Sequence, residues 1–226
     1  LIYGLVALGV LISFRTLDFP DLTADGSFPL GGAVAGISII AGVNPWLACA
    51  FGMLAGSVAG IVTAWLHVKL GILQLLASIL VMVALYSVNL RIMGAPNLPL
   101  LGETTVFSTL VSDGNGYWMR CLIIGVVVLL AMLFLNWFYS TETGLSMRAT
   151  GSNLRMAQAQ GINTSWMTII GMAISNGLIA LAGALFVQTQ GGADISIGIG
   201  TIVIGLAAVT IGETIIPIKI KPLITP

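Results

Sequence analysis

Apolar runs return along the whole chain, at about residues 1–14, 28–42, 45–66, 71–93, 118–139, 166–188 and 197–216. This recurrence limits the fold more than any single motif does. A helix needs about 20 apolar residues to cross hydrocarbon, and most of these runs reach that length. Only 7% of the 226 residues are charged, against about 25% in a soluble domain. The chain therefore has too little polar surface to screen its apolar residues from water. Inside a bilayer every backbone polar group needs an internal partner, which leaves helices or a closed barrel. The alternation of barrel strands is absent, and the runs are longer and more numerous than a signal-peptide core. The sequence predicts an all-α integral membrane protein, a polytopic helical bundle of about seven hydrophobic spans, with residues 1–226 as one transmembrane domain. Some spans are short or broken: the runs at 1–14 and 28–42 fall below full length, and the last enters through the glycine-rich ADISIGIG.

Orientation follows from Lys and Arg near the span ends. With the 140–165 loop on the cytoplasmic side, alternation places Arg15, Lys69, Arg148, Arg155, Lys219 and Lys221 inside, and Arg91 and Arg120 outside. Glu103, Asp113 and Asp194 then lie on the outer side, where the 94–117 segment forms an external cap. His67, near Lys69 at a span end, reads as an interfacial residue.

Several function classes are excluded. Net charge is zero, so there is no basic surface for nucleic acid. No GK[ST], HExxH, CxxC or nucleophile elbow occurs in the sequence, so no catalytic or metal-binding residues are assigned. Cys49 and Cys121 both lie in apolar spans and read as small buried residues, with a disulfide or metal pair as the lesser alternative.

Gly52, Gly56 and Gly60 recur one helical turn apart in GMLAGSVAG, and Gly32 and Gly36 do the same in the preceding run. Small residues at this spacing let helix backbones approach closely. Packing within the chain is the expected use, and a dimer interface is the alternative.

Polarity is expensive in two places. Between Asp18 and Pro29, three carboxylates (Asp18, Asp21 and Asp25) sit among prolines and a glycine. A carboxylate in the bilayer survives where it lines a cavity or reaches water. The segment is either a cytoplasmic turn with solvated acids or a broken, partly re-entrant helix bordering a translocation path. From Gln188 to Glu213 repeated glycines permit bends, and Glu213 either gates a pore or marks the membrane interface. Asp21, Thr23, Asp25, Ser27, Asn89, Asn176, Gln188 and Glu213 are the candidate path residues, because polar side chains within or beside spans need partners.

The most informative stretch is Met147 to Asn163, MRATGSNLRMAQAQGIN, a polar island between long apolar runs. It offers a helix start at Ser152 or Asn153 and a glycine stop at Gly161. A short helix held outside the bilayer is suited to being gripped by a soluble partner.

This stretch resembles the R-A-x-G-x-N … A-x-x-x-G-I-N segment of ABC-importer permeases of the branched-chain amino acid and ribose type. ISNGLIALAGALFVQTQGGADISIGIG resembles the same family. LDFPDLTADGSFPLGGAVAG occupies the place of its D-L-S-V-G-like motif, in a variant similar to a subgroup associated with import of amino acids, aromatic ones among them. The resemblance covers nearly the whole chain. It implies a permease subunit, not an enzyme, in the bacterial plasma (inner) membrane, coupling closure of an ATPase to alternating access. Residues 147–163 would be the cytoplasmic coupling segment, with Arg148, Gly151, Asn153, Leu154, Arg155, Met156, Ala157 and Gly161 at the ATPase contact. Arg148 and Arg155 would pair with carboxylates, and Leu154, Met156 and Ala157 would fill an apolar groove. The implied partners are an ABC ATP-binding subunit carrying ATP and Mg, an extracytoplasmic substrate-binding protein, a second permease subunit forming a homodimer, and the lipid bilayer. The external loops at 94–117 and 189–198 would receive the binding protein. The chain starts at Leu1 and stops at LITP, so it is expected to be a fragment of a longer permease. A secondary transporter or channel with broken helices is the main alternative, and a membrane scaffold protein is the third class.

Overall fold

The computed structural model describes residues 1–100, 102–110 and 116–215. Asp113, Lys219 and Lys221, used above for orientation, lie outside the described residues. In chain order the helices are α1 (Ile2–Val10), α2 (Ala24–Ile40), α3 (Pro45–Leu70), α4 (Gln74–Met93), α5 (Val106–Leu110), α6 (Gly116–Ser140), α7 (Glu142–Ser152), α8 (Leu154–Ala159), α9 (Thr164–Gln190) and α10 (Thr201–Ile215). Two three-residue strands, β1 (Asn97–Pro99) and β2 (Gly192–Asp194), pair antiparallel at one end of the bundle. Among the described residues, Pro45–Leu70, Gln74–Met93, Trp118–Ser140, Thr164–Gln190 and Ile195–Ile215 are long and apolar enough to cross a membrane, and Ile2–Thr16 and Ala24–Ile40 are shorter apolar helices. The predicted polytopic helical bundle is observed, with the first two runs short as expected.

Local signals set the ends of the long helices. Asn44 accepts a hydrogen bond from the Trp46 N–H at 3.0 Å, Pro45 stands in the first turn, and α3 ends at Gly71 with φ 67°. Asn163 caps α9 in the same way through the Trp166 N–H at 3.3 Å, and Gly191 closes it at φ 75°. An Asx side chain satisfies an orphan donor at the helix start, and glycine takes the left-handed turn at the end.

Helix α9 is the hub, packed by α1, α2 and α3. Most of its apolar window is buried, whereas α4, α6 and α10 bury under a third of theirs. The small-residue stripe explains the tight α3–α9 seam: a β-carbon at Gly56 would lie 2.6 Å from the Asn176 carbonyl, and one at Gly60 would strike the Met172 carbonyl. The stripe packs against α9 of the same chain. The outer faces of α3, α4 and α6 carry exposed Leu54, Val58, Leu80, Val83, Leu129 and Leu133, which suits contact with lipid.

The short first helices form one broken element. After α1 the chain continues as a π-helix, Leu11–Thr16, and then turns at Asp18, whose φ of 52° is unusual for a residue other than glycine. It re-enters the bundle as α2, which contains Pro29. Proline has no N–H to offer the carbonyl four residues back, so Asp25 O lacks that helical partner. Gly198, from the 3₁₀ turn Ile195–Gly198, packs there so closely that any β-carbon would strike Asp25 O. The last helix therefore begins inside the protein, against α2, which is the irregular entry expected from the glycines.

Candidate functional site

A hydrogen-bonded polar cluster sits where α2, α3 and α9 meet. Asp21 Oδ1 accepts from the Thr23 N–H at 2.9 Å, and Asp21 Oδ2 accepts from Asn176 Nδ2 at 2.7 Å. Asn176 Oδ1 accepts from the Ser27 hydroxyl at 2.7 Å, while its Nδ2 also reaches Met172 O at 3.2 Å. The Thr63 hydroxyl donates to Ala59 O at 3.1 Å and meets the Thr23 hydroxyl at 2.9 Å. Asp21, Thr23, Ser27, Thr63 and Asn176 are all buried, and the network satisfies them together, as buried polar groups require. The solvated-turn expectation is corrected for Asp21: it sits within the bundle, while Asp18 remains exposed at the turn.

Asp25 does something different. Its two carboxylate oxygens accept from Gly200 N at 3.2 Å and Ile202 N at 2.8 Å. A carboxylate from α2 thus caps the N-terminus of α10, where the orphan N–H groups and the helix dipole favour negative charge.

The other candidate path residues lie apart from this cluster. Gln188 ties α9 to the start of α5 and to α3: its Oε1 accepts from Val106 N at 3.0 Å and its Nε2 contacts Cys49 Sγ at 3.0 Å. Asn89 donates to Gly26 O at 3.2 Å, and its buried Oδ1 has no hydrogen-bond partner among the described residues. Glu213 pairs with Arg15 at 3.0 Å on the surface. Cys49 and Cys121 are free thiols, and His67 bonds Ile72 O at 2.7 Å at the end of α3.

The polar island folds as two short helices, α7 and α8, kinked at Asn153. Of the two possible caps, Asn153 is the one used: it accepts from Met156 N at 3.1 Å, and the turn ends at Gly161 with φ 81°. One side of this unit is anchored. Met147 and Ala157 are buried, and Gly151 lies so close to Thr16 O that a β-carbon would not fit. Thr16 in turn meets the Tyr139 hydroxyl at 2.9 Å, and half-buried Arg148 sits near Tyr139. The other side is open: Leu154 is 52% and Met156 62% exposed, and Arg155 is exposed between them. The expected contact set is thereby divided. Ala157 and Gly151 face the body of the chain, because the kink turns them inward, and Leu154, Arg155 and Met156 face out.

At the opposite end, β1 and β2 frame a cavity of about 440 Å³ lined by Asn97, Pro99, Phe186, Gln190, Asp194 and Ile197 among others. Asp194 Oδ1 accepts from the Ser196 N–H at 2.7 Å and from its hydroxyl at 2.5 Å. These bonds favour the ionised form and hold the Asp194 carboxyl below its ordinary range. Thr63, Tyr139 and Asn97 are absent from the sequence-based candidates. Thr63 was detectable as a polar residue continuing the face of Gly52, Gly56 and Gly60. Asn97 had no local signal, since its role depends on pairing with a distant strand.

Buried polar groups held in this way inside an apolar bundle, beside a discontinuous helix, mark the class of helical membrane transport proteins. Comparison with known proteins defines the family. The profile of branched-chain amino acid transport system permease components matches residues 1–221, and the chain belongs to that family. It is similar to a tyrosine transport system permease protein of Clostridioides difficile, 41% identical over 215 residues, covering 95% of this chain and 70% of that protein. It is also similar to the autoinducer 2 import system permease protein LsrC of Escherichia coli, 26% identical over 219 residues, covering 92% of this chain and 59% of that one. No solved structure matches it. The chain is a multi-pass plasma-membrane permease subunit of an ABC importer, and ATP hydrolysis belongs to a separate subunit. Permeases of this kind work with ATP-binding and substrate-binding partners, which decides against the secondary-transporter and scaffold alternatives.

Proposed function

We propose that this permease carries an amino acid with an aromatic side chain and that α7–α8 is its contact with the ATPase. The observation that carries the coupling assignment is the two-sided character of that unit. Its inner side is anchored through Met147, Gly151 and Ala157, while Leu154, Arg155 and Met156 are presented outward. An exposed cation between two exposed apolar side chains fits a groove with an acidic wall. The end bearing α7–α8 is then cytoplasmic, and the β1–β2 end faces outward and receives the binding protein. The substrate class is supported by the likeness to the tyrosine transport permease, which spans 95% of this chain.

Two copies of the permease, forming a homodimer, would bring two such segments against two ATPase subunits. ATP and Mg on those subunits would drive their closure, and a rigid-body shift would switch access across the membrane. The cluster around Asp21 and Asn176 lies beside the broken α1–α2 element and is the best-placed polar lining for the path. The test is co-purification of the full-length permease with the ATPase encoded beside it, followed by hydrolysis in lipid nanodiscs with and without the binding protein, and uptake of L-tyrosine into proteoliposomes. Stable association, stimulated hydrolysis and ATP-dependent uptake are expected. An ATPase that fails to associate would refute the docking assignment, and absent uptake of aromatic amino acids would refute the substrate class.

A further inference from the structure

The strand ladder sets Asn97 directly opposite Asp194. Opposed residues of an antiparallel pair project to the same face, with Cβ atoms about 4.5–5.5 Å apart. A carboxamide and a carboxylate therefore stand together at the rim of the outer-end cavity of about 440 Å³. Both hydrogen bonds from Ser196 fall on Asp194 Oδ1, which leaves Oδ2 as the second acceptor of an ionised group.

The wall of the cavity is aromatic and held in place. Phe186 packs against Phe28 with ring centroids 5.6 Å apart and against Tyr3 at 6.3 Å, and Phe28 is fully buried. Ile197 and Pro99 extend the apolar lining. A second cavity of about 280 Å³ shares Gln190 with the first and is lined by Arg120. A carboxylate thus lines one cavity and a guanidinium the other, with Gln190 common to both. The larger cavity falls within the roughly 300–1,000 Å³ of small-molecule sites, which are mostly apolar with a few polar groups that fix orientation.

We propose that these adjoining cavities form an outer-end binding pocket for a zwitterionic amino acid with an aromatic side chain. Asp194 and Asn97 take the ammonium, Arg120 and Gln190 take the carboxylate, and Phe186 packs the ring. Offset or edge-to-face packing of two rings adds about 0.5–1.5 kcal/mol beyond burial of area. Discrimination against an aliphatic amino acid therefore rests on Phe186, and recognition of the zwitterion on the two charges. The inference depends on the substrate class proposed above.

The test uses the full-length permease in nanodiscs, with L-tyrosine as probe and saturation-transfer NMR as readout, alongside uptake by the assembled importer. Asp194→Asn keeps a good capping side chain for the Ser196 N–H while removing the charge, and Phe186→Leu keeps apolar volume while removing the ring. Transfer to the tyrosine ring protons is expected in the parent protein and should fall at least fivefold in each variant. Phe186→Leu should also narrow the preference for L-tyrosine over L-leucine. Equal transfer in parent and variants, with tyrosine uptake intact, would overturn the pocket and leave the substrate class standing. Unchanged tyrosine transfer in Asp194→Asn, with weakened affinity for the binding protein, would overturn it in favour of a docking contact. An importer that takes up no aromatic amino acid would remove both readings.

Discussion

Asn176 donates its side-chain amide to Asp21 Oδ2 at 2.7 Å, joining two fully enclosed residues 155 positions apart in the chain. Its other amide contacts bind Ser27 and Met172. One side chain on the central helix thereby holds the start of α2 against α9.

Replacing Asn176 with Leu should be among the most damaging single changes. It leaves Asp21 Oδ2 and the Ser27 hydroxyl buried without their partner, and each orphaned group costs about 1–3 kcal/mol. A loss of about 3 kcal/mol is expected in thermal unfolding of the detergent-solubilised protein. A melting temperature equal to that of the parent would contradict the network's role.

Asp25→Ala should loosen α10 locally. Loss of the cap is expected to cost about 1–2 kcal/mol, and amide exchange at Gly200 and Ile202 should accelerate. Asp25→Asn should restore protection at one of the two amides only, because the carboxamide offers one acceptor oxygen where the carboxylate offered two. Exchange that does not change in Asp25→Ala would disprove the capping assignment.

Gly56→Leu should split the α3–α9 seam. The first added carbon already meets the Asn176 carbonyl at 2.6 Å, and overpacking costs about 1–3 kcal/mol or more. A lowered melting temperature in detergent is expected, and an unaltered one would mean the helices do not pack as described.

Arg155→Glu should act on assembly rather than on folding. The side chain is exposed, so unfolding in detergent should match the parent. Recovery of the ATPase on co-purification should drop at least tenfold. Normal recovery together with normal transport would move the docking contact elsewhere.

The spans were legible in the sequence because hydrophobic length is a local property, and so were the stop at Gly161 and the glycine stripe. The three acids near the start of α2 were not. Asp18 is solvated, Asp21 is networked and Asp25 caps a helix, although all three lie within one short stretch. Their side chains are chemically identical, and only partners more than a hundred residues away tell them apart. The division of the polar island was hidden for a related reason. Whether Ala157 faces in or out depends on the kink at Asn153 and on what packs beneath it. The strands β1 and β2 are three residues each and contain glycine and proline, too short for any alternation to be read.

The 155-residue separation between Asp21 and Asn176 also sets an order of events during synthesis. When α2 leaves the ribosome, the amide that Asp21 needs has not yet been made, and neither have the α10 N–H groups that Asp25 caps. The α1–α2 pair must therefore wait, hydrated or sheltered by the insertion machinery, until α9 and the start of α10 arrive. The α1–α2 pair is thus translated well before the partners that fix it in place.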